Sequence, residues 1–71
     1  MESKLVSSSN LRSVGYDLKS GTLEIKFHES GIYQYFNVPE SIYNKLMEAH
    51  SKGAFFDEHI KPKFSYRKIL N

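Results

Sequence analysis

From Arg12 to Phe36 the apolar residues of this chain recur at alternate positions, and the alternation breaks only where turn-forming residues gather, at Leu18 to Gly21 and at Glu29 to Gly31. A period of two is the mark of strands with one buried face, so this stretch reads as three strands in an antiparallel meander. The first turn specifies its own register. Asp17 followed by Ser20-Gly21-Thr22 suits a four-residue hairpin loop, with the Asp17 carboxylate bonding the turn backbone and Gly21 at positive φ. Asp17 then faces Thr22, Tyr16 faces Leu23 and Val14 faces Ile25. Those four apolar residues, with Phe27, are the first expected core positions.

The second turn decides what Tyr33 and Tyr35 do, because a change of one residue in loop length moves every side chain of a strand to the other face. A loop of Glu29-Ser30-Gly31 pairs Phe27 with Tyr33 and Ile25 with Tyr35, and both tyrosines join the core. A loop of two or four residues turns Ile32, Gln34 and Phe36 inward instead, leaving the tyrosines on the open side beside Lys26 and Glu24. A three-residue loop closed by glycine is the recurrent pattern and is the favoured reading.

Val38-Pro39-Glu40-Ser41 ends the sheet and opens a helix near Pro39, since proline is tolerated in the first helical position and acids favour the positive end of the helix. On a 3.6-residue wheel Ile42, Tyr43, Leu46, Ala49 and His50 form one apolar stripe. Gly53 interrupts it, and Ala54 to Ile60 reads as a short second helix capped by Ser51, with Pro62 beyond its end. Phe55, Phe56 and Ile60 then help close the core. Lys63 to Ile69 alternates basic or polar with apolar residues, which fits a fourth, edge strand or an irregular basic arm. The expected fold is therefore α+β: a three-stranded antiparallel meander packed on one main helix and a short second helix, with a C-terminal edge strand as an option. Residues 7–71 form the expected single domain and residues 1–6 a flexible lead-in.

A chain of 71 residues buries a small share of its surface, and a stability of roughly 4 to 10 kcal/mol is expected. It contains no cysteine, which removes disulfides and thiolate metal sites and suits a reducing cytoplasm. Nowhere is there an apolar run of the length that spans a bilayer, nor a signal-like segment at the N-terminus, so no membrane role is expected. The net charge of +2 is unevenly placed: six basic and eight acidic side chains fall in residues 1–59, and four basic and no acidic ones in residues 60–71. A basic tail of this kind is suited to phosphate contact, although short charged ends are commonly only solvated.

Catalytic and metal chemistry lacks its usual spacing. His28, His50 and His59 include no pair at i, i+4, the separation that sets two ligands on one helical face. Asp57-Glu58-His59 are consecutive, and consecutive helical residues point about 100° apart, so they read as a solvated face. The glycines stand singly and form no phosphate-cradling loop. No enzyme activity, cofactor, metal or small-molecule substrate is expected. What remains is aromatic and basic: Lys26, Tyr33 and Tyr35 if the sheet face is open, with Lys61, Lys63, Tyr66, Arg67 and Lys68 from the tail. Rings that stack on unpaired bases, with cations on the phosphates, are how sheet-based modules hold single-stranded RNA.

Ser8-Ser9, Val14-Gly15-Tyr16-Asp17, Leu23 to Phe27, Gly31-Ile32-Tyr33-Gln34-Tyr35, Val38-Pro39, Ser51-Lys52-Gly53 and Phe55-Phe56, in that order, resemble the KTSC domain. This is a short bacterial and phage domain named for its place at the C-terminus of some lysyl-tRNA synthetases. The resemblance runs from about Ser7 to Arg67. It implies a binding domain for which the synthetase context favours RNA, tRNA-like or single-stranded, and it does not imply aminoacylation. The alternative is a protein-interaction domain using an edge strand or the Phe55-Phe56 region, with no nucleic-acid role.

Overall fold

The computed structural model describes residues 1–70; Asn71, the last residue of the expected domain, lies outside the described residues. The chain forms one antiparallel sheet of five strands in sequential order, β1 (Ser3–Leu5), β2 (Leu11–Asp17), β3 (Thr22–Phe27), β4 (Gly31–Tyr35) and β5 (Tyr66–Leu70), with α1 (Glu40–Glu48) and α2 (Lys52–His59) between β4 and β5.

The β2–β3 hairpin has the register its turn dictates. Asp17 faces Thr22, Tyr16 faces Leu23 and Val14 faces Ile25. Asp17 Oδ1 accepts from the Lys19 amide, Oδ2 accepts from Ser20 Oγ, and Gly21 sits at φ 70° while its amide donates to the Asp17 carbonyl. The Gly21 carbonyl in turn accepts from the Val38 amide at 2.8 Å, which ties the first loop to the entrance of α1.

The β3–β4 hairpin keeps the expected facing and corrects the expected pairing. Phe27 lies opposite Gly31, Ile25 opposite Tyr33 and Leu23 opposite Tyr35. The partners are thus displaced by two residues from the Phe27–Tyr33 and Ile25–Tyr35 pairs, because the loop is formed by residues 28–30. Gly31, at φ 94°, is the first ladder residue and not the last loop residue. A displacement of two preserves facing, so Tyr33 and Tyr35 do point toward the helices.

One part of the architecture differs from expectation. Ser3–Leu5, expected as loose chain, pairs along β2, with Ser3 opposite Gly15 and Leu5 opposite Ser13. Gly15 makes the close approach possible: a Cβ there would lie 2.9 Å from Ser3 Oγ and 3.2 Å from the Glu2 carbonyl oxygen. Ser8 Oγ accepts from the amides of Asn10 and Leu11 and turns the chain between β1 and β2. At the other edge the basic tail takes the edge-strand option, as β5 paired with β4.

The helices begin as the sequence directs and end differently. Pro39, at φ −64° and ψ 149°, precedes the first turn of α1. The helix stops at Glu48, with Ala49 already extended, so His50 leaves the apolar stripe and is exposed. Ser51 caps α2 by accepting from the Ala54 amide. The break thus falls at residues 49–51, and Gly53 lies inside α2, where a Cβ would stand 3.1 Å from Asn10 Nδ2. Leu11, Val14, Leu23 and Ile25 from the sheet meet Val38, Leu46, Phe56 and Ile60, all at 4% exposure or less. Burying each such side chain stabilises the fold by about 1.5 to 3 kcal/mol. Tyr16, half-buried, stacks on Tyr43 at 4.8 Å and donates its hydroxyl proton to the Val38 carbonyl.

Candidate functional site

Five aromatic rings form a closed circuit on the helix-bearing face of the sheet. Phe27 meets Tyr33 edge-on at 5.5 Å, Tyr33 meets Tyr66 at 5.7 Å, Tyr66 meets Tyr35 at 5.4 Å, Tyr35 meets Phe56 edge-on at 5.3 Å, and Phe56 returns to Phe27 at 5.3 Å. Strand pairing produces most of this. Tyr35 lies opposite Tyr66 and Tyr33 opposite Lys68, and cross-strand neighbours share a face. Phe56 enters from α2. The arrangement combines edge-to-face with tilted contacts, in the separation range where ring pairs attract.

These rings form part of the lining of a groove of about 560 Å³, bordered by Asn10, His28, Glu29, Asp57 and Lys61. Its buried wall is Tyr35, 3% exposed, and its outer wall is Tyr66, 58% exposed. Lys68 holds its ammonium 5.6 Å from the centroid of the Tyr33 ring, a cation–π contact. Burial pushes the Tyr35 hydroxyl up to about 12, with Tyr66, Tyr33 and the Asp57 charge adding to it, so it remains a neutral phenol able to donate a hydrogen bond. The Tyr16 phenol is also raised, by burial and then by Glu40 and Asp17. It lies outside the groove.

The expected set of site residues divides across this geometry. Tyr33, Tyr35, Tyr66 and Lys61 line the groove, and Lys68 joins them only through its contact with the Tyr33 ring. Lys26 does not, because it pairs with Ile32 on the opposite face. On that face Gln34 Nε2 donates to Glu24 Oε1 at 2.8 Å, and Arg67 pairs with Gln34 there. Tyr33 and Tyr35 facing the core therefore removes the platform they were to share with Lys26. Lys63 is exposed in the turn before β5 and outside the groove lining.

The Phe55-Phe56 region takes the core-closing role expected of it. Phe56 is 4% exposed and part of the core, and Phe55 packs on the His59 ring at 4.7 Å. The region packs against the core, with Phe55 half-buried. Asp57 is exposed, as expected of a solvated face, and also borders the groove, while Glu58 and His59 form an exposed pair at 3.7 Å. Sequence reasoning misses the groove role of Phe27, Phe56 and Asp57. No spacing marks them, because Phe27 lies on β3 and Phe56 and Asp57 on α2, elements that meet only once the chain has folded.

His28 Nε2 lies 3.0 Å from the Ser8 carbonyl oxygen, and the His28 amide donates to the Asn10 carbonyl, so this residue fastens one end of the groove. Among the described residues no three His, Cys, Asp or Glu side chains are placed to hold a metal ion. Among the same residues no helix is long and apolar enough to cross a membrane.

A profile of the KTSC domain matches residues 7–64. The chain belongs to the KTSC domain family. A crystal structure of a KTSC domain protein from Yersinia pestis superimposes with a TM-score of 0.94 at 51% identity, covering 96% of each chain. An uncharacterised protein of Stutzerimonas stutzeri is 38% identical over 97% of this chain and 99% of its own length. A lysine–tRNA ligase of Nostoc punctiforme is 38% identical over 61 residues, which are 86% of this chain and 11% of the ligase. This KTSC chain thus corresponds to a small part of the ligase and to nearly the whole of the two shorter relatives. β1 precedes the residues matched by the KTSC profile, and β5 follows them.

Proposed function

We propose that this KTSC domain is a non-catalytic binding module for single-stranded RNA. The observation that carries the reading is Tyr66. Its ring is 58% exposed, yet it is held against Tyr33 and Tyr35 with Lys68 beside it. An aromatic that is both exposed and fixed offers a base a stacking surface with little ordering cost, worth about 1 to 3 kcal/mol per base. Lys61, Lys63 and Lys68, with Arg67 reaching from the other face, supply cations for the phosphates, and Lys26 adds a more remote one. The similarity to part of a lysine–tRNA ligase supports an RNA partner, tRNA-like or single-stranded, in the cytoplasm.

The test is a titration of the domain with an eight-nucleotide oligouridine and a tRNA-derived single strand at two salt concentrations, followed by backbone amide shifts. Binding that weakens with salt and perturbs Tyr33, Tyr66 and Lys68 supports the reading. Absence of shifts at millimolar RNA would sink it.

The two sheet edges favour a second reading. β5 carries exposed Ile69 and Leu70, at 46% and 60%, and β1 carries Leu5 at 82%. Exposed apolar residues on edge strands can add a strand from a protein partner. Light scattering and pull-down with an extended peptide address that reading.

A further inference from the structure

The groove is chemically unlike the cationic surface beside it. Its interior is aromatic, and at its border the carboxylates of Asp57 and Glu29 outnumber the single ammonium of Lys61, so an RNA phosphate is disfavoured there and a base is not. At about 560 Å³ it falls within the roughly 300 to 1,000 Å³ of typical ligand clefts, with ample room for one nucleobase.

Two polar groups give the groove a direction. Tyr35 is 97% buried by its 3% exposure and lines the groove. No buried side-chain oxygen or nitrogen among the described residues lacks a hydrogen-bond partner, and the described side-chain hydrogen bonds do not use the Tyr35 hydroxyl, so it meets the open space of the groove. Asp57 is close enough for its charge to act on that phenol. Asp57 also gains little where it stands. It lies in the last turn of α2, where the helix dipole disfavours negative charge. The one charge pair within 4 Å among the described residues joins Glu58 to His59.

Resting on the RNA reading above, we infer that the groove takes a single unpaired guanine, with Asp57 accepting from its N1–H and N2 amino group and the Tyr35 hydroxyl donating to its O6. A carboxylate has two acceptor oxygens side by side and needs two adjacent donors. Guanine alone presents N1–H and an amino group together on its Watson–Crick edge. Adenine and cytosine present one amino group beside a bare ring nitrogen, which would oppose a carboxylate lone pair. Uracil presents one N–H between two carbonyls. Tyr66 and Tyr33 then cover the base, and the adjoining phosphates leave along Lys61 and Lys68.

The experiment is an amide-shift titration of the whole chain with the 5′-monophosphates of guanosine, adenosine, cytidine and uridine, then with oligouridine and the same strand carrying one central guanine. GMP should bind tighter than the other three by on the order of tenfold, shifting Tyr35, Phe56 and Asp57. Asp57→Asn should remove that preference and Asp57→Glu should retain it, with both variants folded and Asp57→Asn melting no lower than the parent. Equal binding of the four nucleotides, or a guanine preference that survives Asp57→Asn, overturns the inference. Salt-sensitive oligonucleotide binding without guanine preference overturns the guanine site and leaves the RNA reading standing. GMP bound in the groove with neither oligonucleotide bound does the reverse.

Discussion

Tyr35 and Tyr66 lie opposite one another on β4 and β5 with ring centroids 5.4 Å apart, and one is 3% exposed while the other is 58% exposed. Two tyrosines in contact therefore carry different burdens. Tyr35→Ala removes a ring packed on Phe56 and opens a cavity, at a cost of about 3 to 5 kcal/mol. Against a stability of roughly 4 to 10 kcal/mol, this should leave the domain marginal or unfolded at 37 °C. Tyr66→Ala should cost about 1 kcal/mol and weaken RNA binding several-fold. Thermal melting and RNA titration on both variants check the contrast, and an unchanged melt for Tyr35→Ala would contradict the packing.

Replacing Lys61, Lys63, Arg67 and Lys68 with glutamine should preserve the fold, because all four are exposed. RNA affinity should fall, and the dependence of log K on log salt should flatten by about 0.7 for each phosphate that is no longer neutralised. Restoring Arg67 alone should recover less than restoring Lys61 and Lys68, since Arg67 shares a face with Gln34, across the sheet from the rings. A folded variant with unchanged salt slope would show that the tail cations do not bear on RNA.

Tyr35 also sets an alkaline limit on stability. Its phenol is held up to about 12 in the fold and returns to about 10 in the unfolded chain. Below pH 10 both states carry the proton, and Tyr35 adds no pH dependence. Between about pH 10 and 12 the unfolded state releases it first, so stability falls with rising pH by roughly 2 to 3 kcal/mol. Tyr35→Phe should remove that component. Urea midpoints at pH 9 and 11 measure it, and an equal alkaline loss in both proteins would assign the effect elsewhere.

Gly31 stands at φ 94° as the first ladder residue after the second turn, opposite Phe27. Gly31→Ala forces an L side chain into a left-handed conformation and should cost roughly 1 to 2 kcal/mol. Gly53→Ala is a different case. Its Cβ would meet only the amide end of Asn10, 3.1 Å away, and alanine gains up to about 1 kcal/mol of helix propensity, so the variant should lie within about 1 kcal/mol of the parent. Denaturant unfolding of the pair separates the backbone effect from the packing effect.

The residues that determined structure locally were legible in the chain. Asp17 with Ser20-Gly21 fixed one hairpin register, because turn chemistry acts over four residues and needs no distant partner. Ser51 marked the start of α2 and Pro39 that of α1 for the same reason. The parity of the second hairpin was also readable, since one glycine and alternating rings constrain which face is buried. Its exact pairing was not, because Gly31 fits equally as the last loop residue or the first strand residue. The end of α1 and the pairing of residues 3–5 with β2 depended on contacts between distant segments: the wheel carried α1 on to His50, and Gly15 acquires its meaning only when Ser3 lies against it. The groove is the extreme case. Phe27, Tyr33, Tyr35, Phe56 and Tyr66 come from β3, β4, α2 and β5, and nothing in their spacing announces that their rings close a circuit. Sequence alone determined the class of fold, the lack of cysteine chemistry and the segregation of charge into the tail. The tertiary structure decided which tyrosines face the helices, which cations stand beside them and where a base could enter, because facing and proximity are set by strand pairing summed over the whole sheet.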